Sequence, residues 1–154
     1  MGKALQKRIM QARFESPTQE AILNLLIAAN HIRQRLDRAC AEEGITHGQY
    51  NVLRILRGAP EGHPRCEIAR RMLEKAPDVT RIIDRLTEQG LVERGRGEED
   101  RRLSVTRITR KGMNLLDRLQ PRIEEIHRYF ADRVSLADRR ELSRICEGVY
   151  DEGD

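Results

Sequence analysis

The strongest constraint on the fold is a long helical pattern between residues 16 and 44. Residues 16–19 form a start signal: Ser16 is placed as N-cap, proline follows at the first helical position, and Gln19 closes a capping box. Apolar residues then recur at three- and four-residue spacings as far as Gly44, where a glycine in the left-handed conformation can end the helix. A helix of about 26 residues is about 40 Å long. Because the rest of a small monomer cannot cover it, the pattern favours an assembly of more than one chain.

Composition excludes several classes of protein. Charged residues make up 35% of the 154 residues and aromatic residues only 3%, which is typical of a helix-rich soluble protein and not of an all-β fold. No apolar run follows the early basic residues, so no secretory signal is predicted. The most apolar stretch, residues 21–32, contains two asparagines and His31 and is too short to span a bilayer. We therefore expect a cytoplasmic protein without a membrane segment.

The net charge of +4 is unevenly distributed. Residues 45–112 carry 15 Lys and Arg against 10 Asp and Glu, whereas residues 113–154 carry 7 against 10. A basic middle is expected if that part of the chain approaches phosphates while the ends pack on protein. A mixed, solvated surface would give a similar count, so charge alone leaves both interpretations open.

The middle of the chain predicts two short helices followed by a hairpin. A capping box at residues 46–49 opens a helix, which a Gly- and Pro-containing break ends. Pro64 then starts a short helix and, after a tight connection, Pro77 starts another that ends at Gly90. Residues 91–94 and 103–108 predict strands joined by a charged loop. This order is typical of a winged helix-turn-helix.

Both ends of the chain are predicted to be helical. A short amphipathic helix over residues 3–14 precedes the long one. Thr109 caps a helix that continues past Pro121, where the lost backbone bond predicts a kink. Ser135 caps the last helix.

The predicted fold is therefore mainly α with a small β-hairpin wing. Residues 1–44 and residues 113–154 are expected to build a helical dimerisation region. Residues 45–112 are expected to form the DNA-binding region within the same intertwined domain.

The second short helix has one apolar stripe and one polar face. Burial of Val79, Ile82, Ile83 and Leu86 leaves a set of polar residues pointing outward. These are Asp78, Thr80, Arg81, Asp84 and Arg85. The two arginines lie one turn apart and can reach the same major groove, where Arg suits bidentate contact with guanine or phosphate. The alternative is a solvated face on which Asp78 pairs with Arg81 and Asp84 with Arg85.

The hairpin tip combines three acids with Arg101 and Arg102. A loop that presented three free acids would repel DNA, so the tip requires internal order. We expect Asp100 to clamp one arginine while the other enters the minor groove, where the negative potential is enhanced. The alternative is a merely solvated turn.

Four segments together resemble the MarR family of regulators: residues 79–86, 90–92, 100–102 and 108–112. The resemblance runs from about residue 45 to residue 112. It implies a homodimer with intertwined chain ends whose two recognition helices bind a pseudo-palindrome in double-stranded DNA. It also implies that Thr80 and Arg81 lie on the DNA face and that Asp100 and Arg102 shape the wing.

The connection before the recognition helix departs from the family pattern. Leu73 stands where the family usually has a glycine, and Lys75 stands where it often has a serine cap. Residues 76–78 replace a small polar run. We include Lys75 and Pro77 among the predicted DNA-contacting residues.

The family resemblance also implies a small anionic or aromatic effector. His31, Arg35 and Tyr50 are candidates to line its cleft, although a core position is the favoured interpretation for Tyr50. The four histidines show no metal-ligand spacing, so neither a metal nor another cofactor is predicted. The three cysteines lack a CxxC spacing and are interpreted as structural thiols.

The sequence leaves a second class of function open and disfavours a third. A winged helix can bind protein or serve as a dimerisation scaffold without reading DNA, in which case Arg81→Ala and Arg102→Ala leave partner binding intact. An enzyme is disfavoured because the sequence offers no Gly-rich phosphate loop and no catalytic triad or carboxylate pair at catalytic spacing.

Overall fold

The computed structural model describes residues 2–75 and 78–153. Its elements in chain order are α1 (Lys3–Ile9), α2 (Pro17–Glu42), α3 (His47–Arg57), α4 (Arg65–Arg71), α5 (Val79–Glu88), β1 (Val92–Arg96), β2 (Ser104–Ile108), α6 (Arg110–Ala131) and α7 (Leu136–Tyr150). The predicted class, mainly α with a two-stranded hairpin, is confirmed.

Four of the predicted helix starts are confirmed by their caps, whereas α5, predicted to start at Pro77, begins at Val79. Thr46 closes a full capping box with Gln49 at the start of α3. Thr109 accepts from the amide of Gly112 at 3.1 Å to start α6, and Ser135 caps α7 in the same way. At α2 the Ser16 hydroxyl accepts from the Gln19 amide as predicted. The other half of that box is displaced, because the Gln19 side chain accepts from the amide of Glu15, one residue further back, at 2.8 Å.

The first helix is shorter than predicted. The sequence pattern extends it over residues 3–14, but α1 ends at Ile9 because Met10 adopts a left-handed conformation with φ of 54°. The Gln6 side chain then donates to the carbonyl of Ala12 at 3.0 Å, which satisfies the backbone outside the helix. Residues 11–14 therefore lead into α2 as irregular chain.

The core lies between the helix-turn-helix and α6. Its fully buried large side chains come from α3, α4, α5 and α6: Leu53, Leu56, Ile68, Leu86 and Leu119. Burial of one side chain of this size stabilises the folded state by about 1.5–3 kcal/mol. This packing fixes α5 on its apolar side and leaves its opposite side in solvent.

The hairpin differs from the predicted one in its bounds and burial. β1 pairs antiparallel with β2, from Val92 opposite Ile108 to Arg96 opposite Ser104. Strict alternation was predicted for β2, yet Val105 and Thr106 are both buried. The backbone of Thr106 exchanges two hydrogen bonds with His63, at 3.0 and 2.9 Å, so the segment before α4 covers this strand.

The two ends of the chain leave apolar surface uncovered, as the length of α2 predicted. Only Ala39 and Cys40 are buried among the 26 residues of α2, and no residue of α7 is buried. Helix α6 continues through Pro121 to Ala131 and packs against α2. Within residues 2–75 and 78–153, no helix combines the length and the hydropathy that a membrane span requires.

Candidate nucleic-acid interface

Helix α5 is held as a rigid element with one polar face. Of the predicted apolar stripe, Val79, Ile83 and Leu86 are buried and Ile82 is half-buried. Thr80, Arg81 and Arg85 are exposed, as predicted. Asp78 has a role that the sequence analysis did not assign. Its carboxylate caps the helix by accepting from the amide of Arg81 at 3.0 Å.

The carboxylate of Asp84 faces the wing. It was predicted to point outward toward DNA, but it forms an ion pair with Arg94 on β1. Neither Asp84–Arg85 nor Asp78–Arg81 pairing occurs, and no ion pair among the described residues involves Arg81 or Arg85. Both guanidinium groups therefore keep their charge available at the surface, where phosphates or base edges can meet them.

The wing tip is ordered by its backbone. Asp100 was expected to clamp an arginine side chain, but its carboxylate accepts from the main-chain amide of Arg102 at 2.9 Å. The carbonyl of Asp100 also accepts from the amide of Leu103 at 3.1 Å, and the amide of Gly97 donates to the carbonyl of Leu103 at 2.9 Å. These hydrogen bonds order the tip, engage one of its three carboxylates and leave the side chains of Arg101 and Arg102 exposed.

The wing presents a cluster of four arginines. They border one depression on the hairpin: Arg94, Arg96, Arg101 and Arg102. Of these, the sequence analysis singled out only the last two, because the strand positions of the other two were not assigned as DNA contacts.

The connection into α5 is only partly described. Lys75 is exposed at the end of the segment that follows α4. Pro77, which was predicted to start the helix and to contact DNA, lies outside the described residues.

One exposed arginine next to the recognition helix was missed by the sequence analysis. Arg65, the first residue of α4, donates from Nη1 to the Thr80 hydroxyl at 2.7 Å. Helical periodicity could not show this contact, because it joins two helices across a turn. The only local signal was a basic residue directly after Pro64.

Of the three candidate effector residues, the structure brings His31 and Arg35 together and places Tyr50 apart from them. His31 Nε2 lies 2.9 Å from the hydroxyl of Tyr129, and the Arg35 guanidinium packs 3.5 Å from the centre of the Tyr129 ring. Arg133 packs against the same ring at 3.7 Å. Tyr50 instead stacks near His47, with 6.2 Å between ring centres. Tyr129, on α6, and Arg133, two residues after its end, were not foreseen.

A large apolar groove runs between α2 and α7. Its volume is about 780 Å³, and none of His31, Arg35 and Tyr50 lines it. Exposed apolar side chains from the two helices do line it, among them Ile22, Leu25, Leu142, Ile145 and Val149. Apolar surface of this extent is typical of an interface with another protein chain or with a ligand.

The cysteines differ in exposure. Cys66 is exposed and Cys146 half-buried, whereas Cys40 is fully buried. Burial, together with the nearby Asp37, raises the pKa of the Cys40 thiol to about 11. In the part of the chain that the structure describes, no three His, Cys, Asp or Glu residues are grouped closely enough to hold a metal ion.

Comparison with known proteins matches this region to a described family. The model of the MarR family matches residues 45–104. A repressor of Pseudomonas putida, the HTH-type transcriptional repressor IacR, is 27% identical over 76% of this chain and 70% of its own length. The match covers about two thirds of the length of the curated relatives, 64% in one and 70% in another.

Solved structures match over nearly the whole chain. A MarR transcription factor from Planctomyces limnophilus is 36% identical, with 88% of this chain and 98% of that chain covered and a TM-score of 0.65. CouR from Rhodococcus jostii, solved with p-coumaroyl-CoA bound, has a TM-score of 0.79 at 18% identity, with 92% and 99% covered. At this identity, the likeness to CouR shows a shared fold alone.

Proposed function

The chain belongs to the MarR family, and we propose that it is a transcriptional repressor that binds a pseudo-palindromic operator as a homodimer and responds to a small ligand. The observation that carries the proposal is the exposed polar face of α5, where Thr80, Arg81 and Arg85 stand beside an arginine-lined wing. A helix of this kind fits the major groove, and the wing arginines suit the adjacent backbone or minor groove. The relative IacR bears the name of a repressor.

The proposed dimer uses both ends of the chain. Residues 1–44 and 113–154 carry the uncovered apolar faces of α2 and α7, and residues 45–112 carry the DNA-binding elements. A second copy that covers these faces places two α5 helices on one duplex. Their half-sites are then about one helical turn, or about 34–36 Å, apart.

The proposed effector is a small anionic or aromatic molecule. CouR, with the same fold, was solved with p-coumaroyl-CoA bound. In this chain, His31 and Arg35 offer a polar contact at the α2–α6 junction, and the groove between α2 and α7 offers apolar surface. An effector at either place contacts α2 together with α6 or α7, and these helices set the distance between the two α5 helices of the proposed dimer.

The proposed cellular location follows from this role. A regulator has to reach the chromosome, so we place the protein in the cytoplasm. The curated relatives are named as regulators and not as enzymes, and we propose neither a catalytic activity nor a cofactor.

The proposal is tested by measuring binding to the duplex upstream of the protein's own gene. Fluorescence anisotropy is recorded at several salt concentrations against a scrambled duplex of equal length. We expect tighter binding to the specific duplex and an affinity that falls steeply with salt, because phosphate contacts release counterions. Equal affinity for both duplexes, or a flat salt response, contradicts the proposal.

A further inference from the structure

The contact between Arg65 and Thr80 joins two side chains that face solvent on neighbouring helices. Arg65 lies at the first position of α4, and Thr80 lies in the first turn of α5. Their 2.7 Å hydrogen bond spans the turn between the two helices. We propose, on the basis of the DNA-binding function above, that Arg65 is a specificity-determining residue. It positions the Thr80 hydroxyl so that the pair selects base edges with hydrogen-bond acceptors.

The chemistry of a hydroxyl supports this selection. A threonine hydroxyl has one donor hydrogen and two acceptor lone pairs. Arg65 occupies one lone pair, and its positive charge repels any second donor that approaches the same oxygen. The hydroxyl hydrogen is then free to donate to an acceptor, and the remaining N–H groups of Arg65 can donate to acceptors as well. Guanine, with N7 and O6, offers two acceptors in the major groove, whereas cytosine offers a donor.

The backbone that carries Arg65 is fixed by the wing. His63, two residues before it, exchanges two hydrogen bonds with Thr106 on β2. Gly62 has φ of +86°, and a Cβ there would lie 2.7 Å from the carbonyl oxygen of Thr106, so only glycine permits this approach. Ile68 anchors the other side of α4 in the core. The hairpin that forms the wing therefore also fixes the backbone next to Arg65.

The charge of Arg65 is not paired with an acidic side chain in the described part of the chain. Glu67, the nearest acid on α4, forms ion pairs with Arg70 and Arg71. In residues 2–75 and 78–153, no ion pair involves Arg65. Its guanidinium, which can form five hydrogen bonds, uses one for Thr80 and faces solvent with the others.

The test is a double-mutant cycle on base preference. The wild-type protein first selects its preferred duplex from a random pool, and each base of a half-site is then varied. Arg65→Ala and Thr80→Val, which removes the hydroxyl at nearly constant shape, are each expected to lose preference at the same base position. Each should lower affinity by about tenfold, the low end of a good base contact. The double variant should be no weaker than either single variant by more than about threefold, because the residues act together.

Two matched variants separate positioning from charge. Arg65→Lys keeps the charge but loses the planar fork, so it should bind the preferred duplex more weakly and lose the base preference. Arg70→Ala removes another arginine of α4, one that pairs with Glu67, and it should keep the wild-type preference. Because both members of the pair are exposed, thermal melting of every variant should match the wild type.

Several outcomes overturn the proposal. Arg65→Ala that weakens all duplexes equally would make Arg65 a phosphate contact, and additive losses in the double variant would mean that the two residues act independently. A wild-type protein that selects no duplex contradicts the proposed function instead, so the two failures are distinguishable.

Discussion

The guanidinium of Arg94 on β1 pairs with the carboxylate of Asp84 on α5, so the wing is tied directly to the recognition helix. The side chains are 53% and 48% exposed, and a pair in such a position contributes about 0–1 kcal/mol to the free energy of unfolding. Its main effect is on geometry, because it links the hairpin to α5.

Asp84→Asn is expected to lower sequence discrimination with little effect on stability. The substitution removes the ion pair, which loosens the wing, and it also removes a negative charge that repels phosphates. Affinity for a scrambled duplex should therefore rise while affinity for the preferred duplex falls. The ratio of the two dissociation constants measures this, and Asp117→Asn on the exposed side of α6 is the control for loss of one acid. An unchanged ratio in Asp84→Asn would refute the role of the pair.

Arg81→Ala is expected to weaken binding of the preferred duplex by about 1–3 kcal/mol and to relax base discrimination. The reason is that Arg81 is exposed in the first turn of α5 without an acidic partner among the described residues. Titration of duplexes varied at each half-site base measures the effect. Arg140→Ala on α7 should leave it unchanged. Wild-type base preference in Arg81→Ala would show that another residue reads the bases.

Gly112→Ala is expected to destabilise the protein by about 1–3 kcal/mol, the usual cost of overpacking. A Cβ at this position would lie 2.3 Å from the carbonyl oxygen of Leu91 and 2.7 Å from Ile108. Gly148→Ala on α7 is the matched control, because nothing lies within 4 Å of its Cβ position. It should be neutral or stabilise the helix by about 0.5–1 kcal/mol. Urea denaturation compares the two, and equal midpoints would contradict the packing described here.

Ile145→Glu is expected to produce monomers that bind DNA weakly. Ile145 lines the apolar groove and is 49% exposed in the single chain, so a charge there must be desolvated in a dimer. Light scattering coupled to size exclusion measures the mass. Arg140→Glu introduces the same side chain on α7 away from the groove lining and should remain dimeric. A dimeric Ile145→Glu protein would mean that another surface holds the two copies together.

Cys40 is expected to resist alkylation in the folded protein at pH 7.5, whereas Cys66 should react. The raised pKa of Cys40, about 11 against an ordinary 9.0, keeps its proton on the buried sulfur. An unfolded chain ionises first, so this group's contribution to the free energy of unfolding falls as pH rises from about 9 to about 11. Mass spectrometry after iodoacetamide treatment identifies the labelled residues. Rapid labelling of Cys40 without denaturant would contradict its burial.

Local signals account for what the sequence predicted well. The capping box at Thr46, the cap at Thr109 and the left-handed Gly90 each depend on a few neighbouring residues. The apolar stripe of α5 likewise follows from helical spacing. These signals fixed the element order and the exposed face of the recognition helix.

Such local signals could not predict the contacts between different elements. The partners Arg65 and Thr80 are 15 residues apart, and Arg94 and Asp84 are 10 apart on different elements. Their meeting depends on how helices cross and how the hairpin folds back. The role of Asp100 was also misjudged, because a main-chain amide lies closer to its carboxylate than either arginine side chain does. The stacking of His47 and Tyr50 is different, because the two lie three residues apart on α3 and helical spacing alone makes them neighbours.

Selection of random duplexes by the purified protein tests the central claim most directly. The account predicts enrichment of an inverted repeat whose half-sites lie about one helical turn apart, bound by two copies of the chain. A pool that stays random at low salt, together with a monomeric protein in solution, would contradict it.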